Sequence, residues 1–451
     1  MYLRVMLSTD SSTPSPAHPP RASQSKVMHS ELPSSPAHRL RQSPLAFLAV
    51  IYCAVALAQR ITLSLRAGKV TQHHHCSSSI SMPAMRRARR WTVAAAMLIT
   101  CTTGLRAPAI RQAPRTVHHA TLDSTVLSCG ASRPKTALSN VEISEFVDTS
   151  DEWISQRTGI RSRRVLQPGE SIADHAASAA QKALDRSGLD PAEIGLVIVA
   201  TSTPEDLFGD AANVADQCGC KNAVGFDITA ACSGFLFALV TASQFLETGT
   251  YDAALVVGAD AMSRWVDWGD RNTCILFGDG AGAVAIKKGG AGLLGFSMGS
   301  NGAGREKLAL PYNGNRLPLI GGKSATVVGP RAMLMEGRSV YVFAATTVPR
   351  VLREALEDAH LTVDDVDWFL LHQANERILE AVADRIGVPK DKFIINMDEN
   401  GNTSAASIPL ALDFAVKSGS VKKGDVLACA GFGAGLSWGA AIFRWEGELL
   451  Q

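Results

Sequence analysis

Asp227-Ile228-Thr229-Ala230-Ala231-Cys232-Ser233-Gly234-Phe235, continued by the apolar run Leu236 to Val240, changes character within a few residues. A strand-like segment ends in small residues, a cysteine appears, and a helical pattern starts at once. One thiol is thereby placed where a buried helix begins, facing unpaired backbone N–H groups and the positive end of the helix dipole. Such a position is expected to favour the thiolate, the nucleophilic form. A structural cysteine that packs as a small hydrophobe is the alternative this stretch leaves open.

Two later segments have the same form. Trp368-Phe369-Leu370-Leu371 reads as a short buried strand and runs straight into His372-Gln373-Ala374-Asn375. Asn400-Gly401-Asn402-Thr403-Ser404-Ala405-Ala406-Ser407 opens another small-residue helix. Taken singly, His372 reads as a core histidine and Asn402 as a turn former. Together with Cys232 they supply a nucleophile and two neutral hydrogen-bond donors, each at a strand-to-helix junction.

The chain also repeats itself. Ala183 to Gly188, Pro191 to Ile194 and the strand Leu196–Ala200 are echoed by Ala355 to Ala359, Val363 to Val366 and Trp368–Leu371. The cysteine helix, 231–240, is matched by an asparagine helix, 403–412. Asp252–Gly258 followed by Ile275–Ile286 parallels Asp425–Gly431 followed by Leu436–Phe443. Short apolar runs alternating with helices argue for buried strands in mixed α/β layers.

From about Thr125 to Trp445 the sequence resembles the β-ketoacyl-acyl carrier protein synthase III family, condensing enzymes that start type II fatty-acid synthesis. The resemblance rests on Val147 to Ile154, Arg157 to Arg161, Phe277 to Ala283, the HQAN run at 372–375 and GNTSAAS at 401–407. The elongating synthases pair their cysteine with two histidines. Plant-type polyketide synthases share a Cys-His-Asn set, but their other signatures are not matched here.

The resemblance implies an α/β, thiolase-like fold of two pseudo-dyad-related mixed α/β halves forming five layers. Residues 123–295 would be the half with the nucleophile, and 296–451 the half with the histidine and asparagine. Cys232, His372 and Asn402 would be the catalytic residues, with backbone N–H groups of Cys232 and Ala434 as the oxyanion hole. Ala434, in Gly431-Phe432-Gly433-Ala434-Gly435, stands where glycine is usual; its methyl is tolerable if φ there is negative. Trp153, Arg157, Arg271, Gly337 and Asn375 would contact coenzyme A, through ring stacking, guanidinium forks and close backbone approach. Phe208 would reach across a homodimer to close the partner's acyl pocket. The segment 304–326 aligns with nothing and carries no site expectation.

The implied activity is an acyltransferase reaction. A short acyl-CoA, foremost acetyl-CoA, condenses with malonyl-acyl carrier protein by a ping-pong route, without metal or redox cofactor. Acyl carrier protein, an acidic partner, would need a local basic patch. Arg377 and Arg385 are the candidates, Lys390 and Lys392 weaker ones. Neither nucleic acid nor, in the mature form, a membrane is an expected partner. Two rivals stand beside this reading: a related condensing enzyme with another product, and a non-catalytic acyl-binding subunit of the same fold.

Charge divides the 451 residues in two. Residues 1–122 hold 15 basic and two acidic side chains, Asp10 and Glu31, a net of +13; residues 123–451 carry −11. The first part, rich in Ser, Pro, Ala and Arg, has the composition of a targeting extension. Its apolar stretches Leu45–Ala58 and Trp91–Thr103 are shorter than the roughly 18–20 residues that span a bilayer. Residues 85–104 read as a signal peptide behind Met85-Arg86-Arg87-Ala88-Arg89-Arg90, and 105–122 as a transit-like segment. Signal followed by transit segment resembles the bipartite presequence of plastids acquired through secondary endosymbiosis, which implies delivery to the plastid stroma with Met85 as working start and residues 1–84 dispensable; a disordered tail with no address is the alternative. The His73-His74-His75-Cys76 tract reads as low complexity. Six cysteines follow residue 123, irregularly spaced among apolar neighbours as reduced thiols are, and Cys218-Gly219-Cys220 makes no convincing zinc site.

Overall fold

A computed structural model describes residues 121–320, 324–330 and 332–448. The expected targeting extension, except Thr121 and Leu122, lies outside the described residues. The first half opens with β1 (Leu122–Ser132), β2 (Ala137–Ser139), α1 (Asn140–Ser144), α2 (Asp151–Thr158) and β3 (Ser162–Arg164). It continues with α3 (Ile172–Ser187), β4 (Leu196–Ala200), α4 (Ala211–Gln217), β5 (Val224–Ile228), α5 (Gly234–Glu247) and β6 (Ala253–Ala261). A 22-residue strand, β7 (Asp279–Ser300), leads into β8 (Leu308–Ala309), the hairpin β9 (Tyr312–Pro318) and β10 (Ser324–Pro330), and β11 (Leu334–Met335). The second half closes with α6 (Gly337–Asp358), β12 (Trp368–Leu371), α7 (Glu376–Ile386), α8 (Met397–Asn400), α9 (Ser407–Lys417), β13 (Val426–Gly433) and β14 (Ser437–Arg444).

The repeat seen in the sequence is a repeat of topology. In the first half β5, β4, β6, β7 and β1 lie side by side, β7 antiparallel to both its neighbours. In the second, β12, β13, β14 and the far end of β7 follow the same order, β14 antiparallel to both its neighbours. A parallel bridge from Phe369 to Phe393 supplies the missing edge. β7 therefore closes one half and opens the other, and the boundary expected between 295 and 296 falls inside it. The strand expected from Ile275 starts later, at Asp279; residues 271–276 are turns that carry the chain towards Asn402.

Strand alternation sorts the core into layers. Leu196, Ile198 and Ala200 of β4 face an inner core with Phe235 and Leu239 of α5 and Ile408 and Leu412 of α9. Val197 and Val199 face the opposite way, onto α3 and α4. In β13, Leu427 and Cys429 point inward, while Ala428 and Ala430 meet α6 and α7. The order helix, sheet, helix pair, sheet, helix makes five layers. Because α5 and α9 are covered by both sheets, they are apolar nearly all round. Burying a side chain such as Phe235 there stabilises the fold by about 1.5–3 kcal/mol. Asp413 of α9 is charged yet buried, and it is held by Arg186 of α3 at 2.7 Å and Lys417 at 2.6 Å.

Candidate active site

Both inner helices begin at strained turns. Ala231–Ser233 and Ser404–Ala406 are short 3-10 turns, entered through Ala231 at φ 48° and Ser404 at φ 51°. Left-handed backbone at a non-glycine residue costs about 1–3 kcal/mol and persists only where packing over-determines it. The two turns are pseudo-dyad mates, and Cys232 corresponds to Ala405.

Their surroundings differ in one respect that decides the chemistry. Gly258 of β6 corresponds to Gly431 of β13, so Asp260 corresponds to Gly433. In the asparagine half, Asp260 Oδ2 accepts the Ala405 N–H at 3.1 Å. In the cysteine half no side chain occupies that place. Gly433 packs so closely that a Cβ would lie 2.6 Å from Cys232 N. Among the described residues the Cys232 N–H donates to no carbonyl, so it can serve a negative oxygen arriving from outside. Ser233 and Ser437 clamp this corner: their hydroxyls meet at 2.7 Å, and Ser437 donates to the carbonyls of Ala230 and Ala434. Ala434 is not among the residues with positive φ; that conformation falls on Gly435 and Leu436 instead. Its methyl is therefore accommodated.

Cys232, His372 and Asn402 line one cavity of about 580 Å³, together with Ser404, Phe432 and Ala434. This volume lies within the range of small-molecule sites. His372 is tied to β13 by its backbone N–H on Ala430 O, and Gln373 ties the run to Ile394 O and Asn396 N. His372 Nδ1 lies 2.7 Å from Ser407 Oγ. Burial lowers the imidazole to about 3, so the ring is neutral at physiological pH. A neutral ring has one N–H; in the tautomer where Ser407 donates to Nδ1, that hydrogen sits on Nε2 and faces a ligand. The Phe432 ring stands edge-on to the imidazole, 5.2 Å between centroids.

Asn402 is held from three sides. Its N–H donates to Leu276 O, its carbonyl accepts from Gly278 N, and Oδ1 accepts from Ser404 N at 2.9 Å. The amide nitrogen is left as the donor available to a ligand. Gly401 makes the turn possible, with φ 63° and no room for a Cβ against Leu276 O. Beneath it Arg163 is fully buried, donating to Leu138 O, Asn140 Oδ1 and Ile275 O.

The thiol departs from expectation. Burial pushes Cys232 up to about 12 and Asp260 adds to the rise, while contact with Ser404 and its own amide pulls it down. The helix start alone does not make a standing thiolate here.

Other expected residues fall into two groups. Gly337 and Asn375 line the cavity. A Cβ at Gly337 would meet no atom within 4 Å, so the missing side chain leaves space open. Asn375 also caps α7, accepting from Arg377 N. Trp153, Arg157 and Arg271 gather on the surface, outside the cavity lining. Ser150 caps α2 and sets Trp153 and Arg157 one turn apart; the guanidinium carbons of Arg157 and Arg271 lie 4.4 and 5.2 Å from the indole centroid.

Phe208 is fully exposed, 101%, beside Leu207 on the loop between β4 and α4, and takes no part in its own chain's cavity. Arg377 is exposed and donates to Gln156 O; Arg385 donates to Ala345 O. Lys390 pairs with Glu380, and Lys392 donates to Val366 O. All six cysteines after residue 123 are unpaired and buried.

Sequence reasoning missed part of the wall. Leu308 to Tyr312 line the cavity, although nothing in that stretch signalled it. Ser404 and Ser407 were visible inside GNTSAAS without a role. Asp260 had a signal, as the lone acid in the buried apolar strand Ala253–Ala261.

A cysteine at the foot of a cavity between two pseudo-dyad-related halves, with two neutral donors across from it, defines the thiolase-fold condensing enzymes. Residues 226–302 match the family described as 3-oxoacyl-[acyl-carrier-protein] synthase III, and residues 356–445 match its C-terminal part. The chain is 53% identical to β-ketoacyl-[acyl-carrier-protein] synthase III of Microcystis aeruginosa over 322 residues, 71% of this chain and 97% of that one. Against the enzyme of the same name from Thermosynechococcus vestitus it is 54% identical over 318 residues, 70% and 97% of the two chains. Among solved structures, 3-oxoacyl-[acyl-carrier-protein] synthase III from Aquifex aeolicus superposes with TM-score 0.66 at 40% identity, covering 71% of this chain and 100% of that one. The priming β-ketosynthase of the R1128 polyketide pathway gives 0.66 at 38%, covering 76% and 99%. The chain belongs to the β-ketoacyl-[acyl-carrier-protein] synthase III family.

Proposed function

We propose that this enzyme catalyses the initiating condensation of fatty-acid synthesis, acetyl-CoA or another short acyl-CoA plus malonyl-acyl carrier protein giving 3-ketoacyl-carrier, CoA and CO2. The observation that carries the reading is the convergence of Cys232, His372 and Asn402 on one cavity in a chain with this family membership. Cys232 attacks the acyl-CoA carbonyl while its own N–H and that of Ala434 hold the oxyanion. CoA leaves and the acyl-enzyme waits. Malonyl-carrier then enters, and His372 Nε2–H and the Asn402 amide donate to its thioester oxygen as loss of CO2 builds enolate charge there. The enolate carbon attacks the acyl group and Cys232 departs. Each step balances without a metal or redox cofactor.

Trp153 between Arg157 and Arg271 suits an adenine and its phosphates, and Arg377 at the start of α7 suits an acidic carrier protein. The exposed Phe208 and the edge of β5, unpaired among the described residues, support a homodimer in which Phe208 bounds the partner's pocket. The cyanobacterial relatives and the acid-poor, +13 extension support delivery to the plastid stroma. A second reading, priming of a polyketide, draws on the R1128 likeness at lower identity. Residues 120–451, assayed with a panel of acyl-CoA primers and malonyl-carrier protein, decide the matter. Acetyl-CoA-dependent condensation is expected; no turnover with any primer would refute the reading.

A further inference from the structure

Arg163 carries a charge into the interior, and the condensation above gives it no task. The residue has no exposed surface. The hydrogen bonds of its guanidinium run to uncharged oxygens: Leu138 O at 3.1 Å, Asn140 Oδ1 at 2.9 Å, and Ile275 O. It enters no ion pair among the described residues, and its Nε finds no partner there. Burial lowers the group only to about 10, so it stays charged at physiological pH. An unpaired charge is unfavourable in such a place, and an apolar side chain of similar volume would fill it more stably. What the charge holds is therefore informative.

On one side the guanidinium is anchored to the start of the first half. Leu138 belongs to β2 and Asn140 to α1, and Asn140 Nδ2 in turn donates to Ile160 O at 2.7 Å and Asp151 Oδ1 at 2.9 Å. On the other side lies the chain that supports Asn402. Ile275 precedes Leu276, whose carbonyl takes the Asn402 N–H at 2.8 Å, and Gly278 N donates to Asn402 O at 3.0 Å. The main chain of Asn402 thus commits both its polar groups to residues 276–278, which Arg163 holds through Ile275. The arginine stem packs beneath the same turn: a Cβ on Gly278 would lie 3.0 Å from Arg163 Cβ, and one on Gly401 3.1 Å. None of these contacts involves the elbow of Cys232.

We propose that Arg163 is a positioning residue for the decarboxylating half-reaction, a strut that fixes the Asn402 carboxamide where it meets the developing enolate. This deepens the reading above and rests on it. A donor aimed at developing charge is effective when it is held in place beforehand, and a displacement of about 1 Å can cost on the order of 10²-fold in rate. Ser404 N holds Asn402 Oδ1, so the rotamer is set locally, and the place of the whole turn is left to residues 276–278. A guanidinium suits that duty, because one rigid plane directs donors to two segments at once.

The test separates the half-reactions in the full-length enzyme. Arg163→Lys keeps the charge and most of the stem, but a single ammonium cannot reproduce the fork that joins Leu138, Asn140 and Ile275. Single-turnover acetylation of Cys232 at saturating acetyl-CoA should stay within about twofold of wild type, while malonyl-carrier decarboxylation by the acetylated enzyme should fall by about 10–10²-fold. Combined with Asn402→Ala, Arg163→Lys should cost no further decarboxylation, because a residue acting through Asn402 then has nothing to position. Asn140→Ala removes one anchor and leaves the charge; it should show the same split in smaller measure, and it serves where Arg163→Lys does not fold. Equal falls in both half-reactions, unchanged decarboxylation, or losses that multiply in the double variant overturn the strut alone. A wild-type enzyme that forms no acetyl-Cys232 overturns the functional reading and the strut with it.

Discussion

Gly433→Ala is the sharpest probe of the oxyanion corner. The φ of Gly433 is −160°, extended backbone open to any residue, so only contact opposes the substitution. The new Cβ would lie 2.6 Å from Cys232 N and 2.9 Å from Ala231 Cβ, whereas ordinary contact begins near 3.4 Å. The elbow must retreat by about 0.8 Å, and a misplacement of about 1 Å can cost on the order of 10²-fold in rate. Loss of one oxyanion donor costs about 10²–10³. Single-turnover acetylation from labelled acetyl-CoA should therefore fall by about 10²–10³, with about 1–3 kcal/mol lost from stability through overpacking. Gly282→Ala is the control: its Cβ would lie 2.8 Å from Leu410 N, away from the cavity, and should cost stability while sparing acetylation. Equal stability losses with wild-type acetylation in Gly433→Ala would refute the placement of the oxyanion at the Cys232 amide.

Cys232→Ser should abolish acyl-enzyme formation. His372→Ala and Asn402→Ala should retain labelling of Cys232 while malonyl decarboxylation falls by about 10²–10³ per donor removed, with Asn402→Asp worse still. Near wild-type condensation in both alanine variants would break the role assignment. Phe208→Ala should admit longer primers, within roughly 1–3 kcal/mol per methylene, as read from an acyl-CoA panel; an unchanged profile would show that Phe208 bounds no pocket. Since native His372 refuses a proton down to about pH 3 and an unfolded histidine binds one near 6.5, its contribution to stability is intact above 6.5 and drains away as pH falls towards 3. Denaturant midpoints at pH 7 and pH 5 should therefore converge in His372→Gln relative to wild type. A fusion of residues 85–125 to a fluorescent protein should reach the plastid; cytosolic fluorescence would sink the address.

Legibility in the sequence followed the spacing of chemical groups. β4 and β12 were readable to the residue because five and four apolar residues in a row fit a strand covered on both faces. The junction residues were readable because Cys, His and Asn are rare in such positions. The thiol's protonation was not, because burial by both halves outweighs the helix start. Nor was the wall from Leu308 to Tyr312, whose place depends on β8 pairing with β11 across 25 residues of chain. The pairing of Asp260 with Ala405 joins residues 145 apart, a separation no local pattern reports.

β7 has a mechanical consequence. One strand carries pairs to β1 and β6 along its first part and to β14 along its last, so neither half owns it. A hinge between halves would have to tear main-chain ladders rather than bend a linker. The enzyme is therefore built as a monolith: reactants thread in and out of a stationary cavity, and opening by domain separation is denied to it. Its sheets should lose amide protons to solvent as one cooperative body.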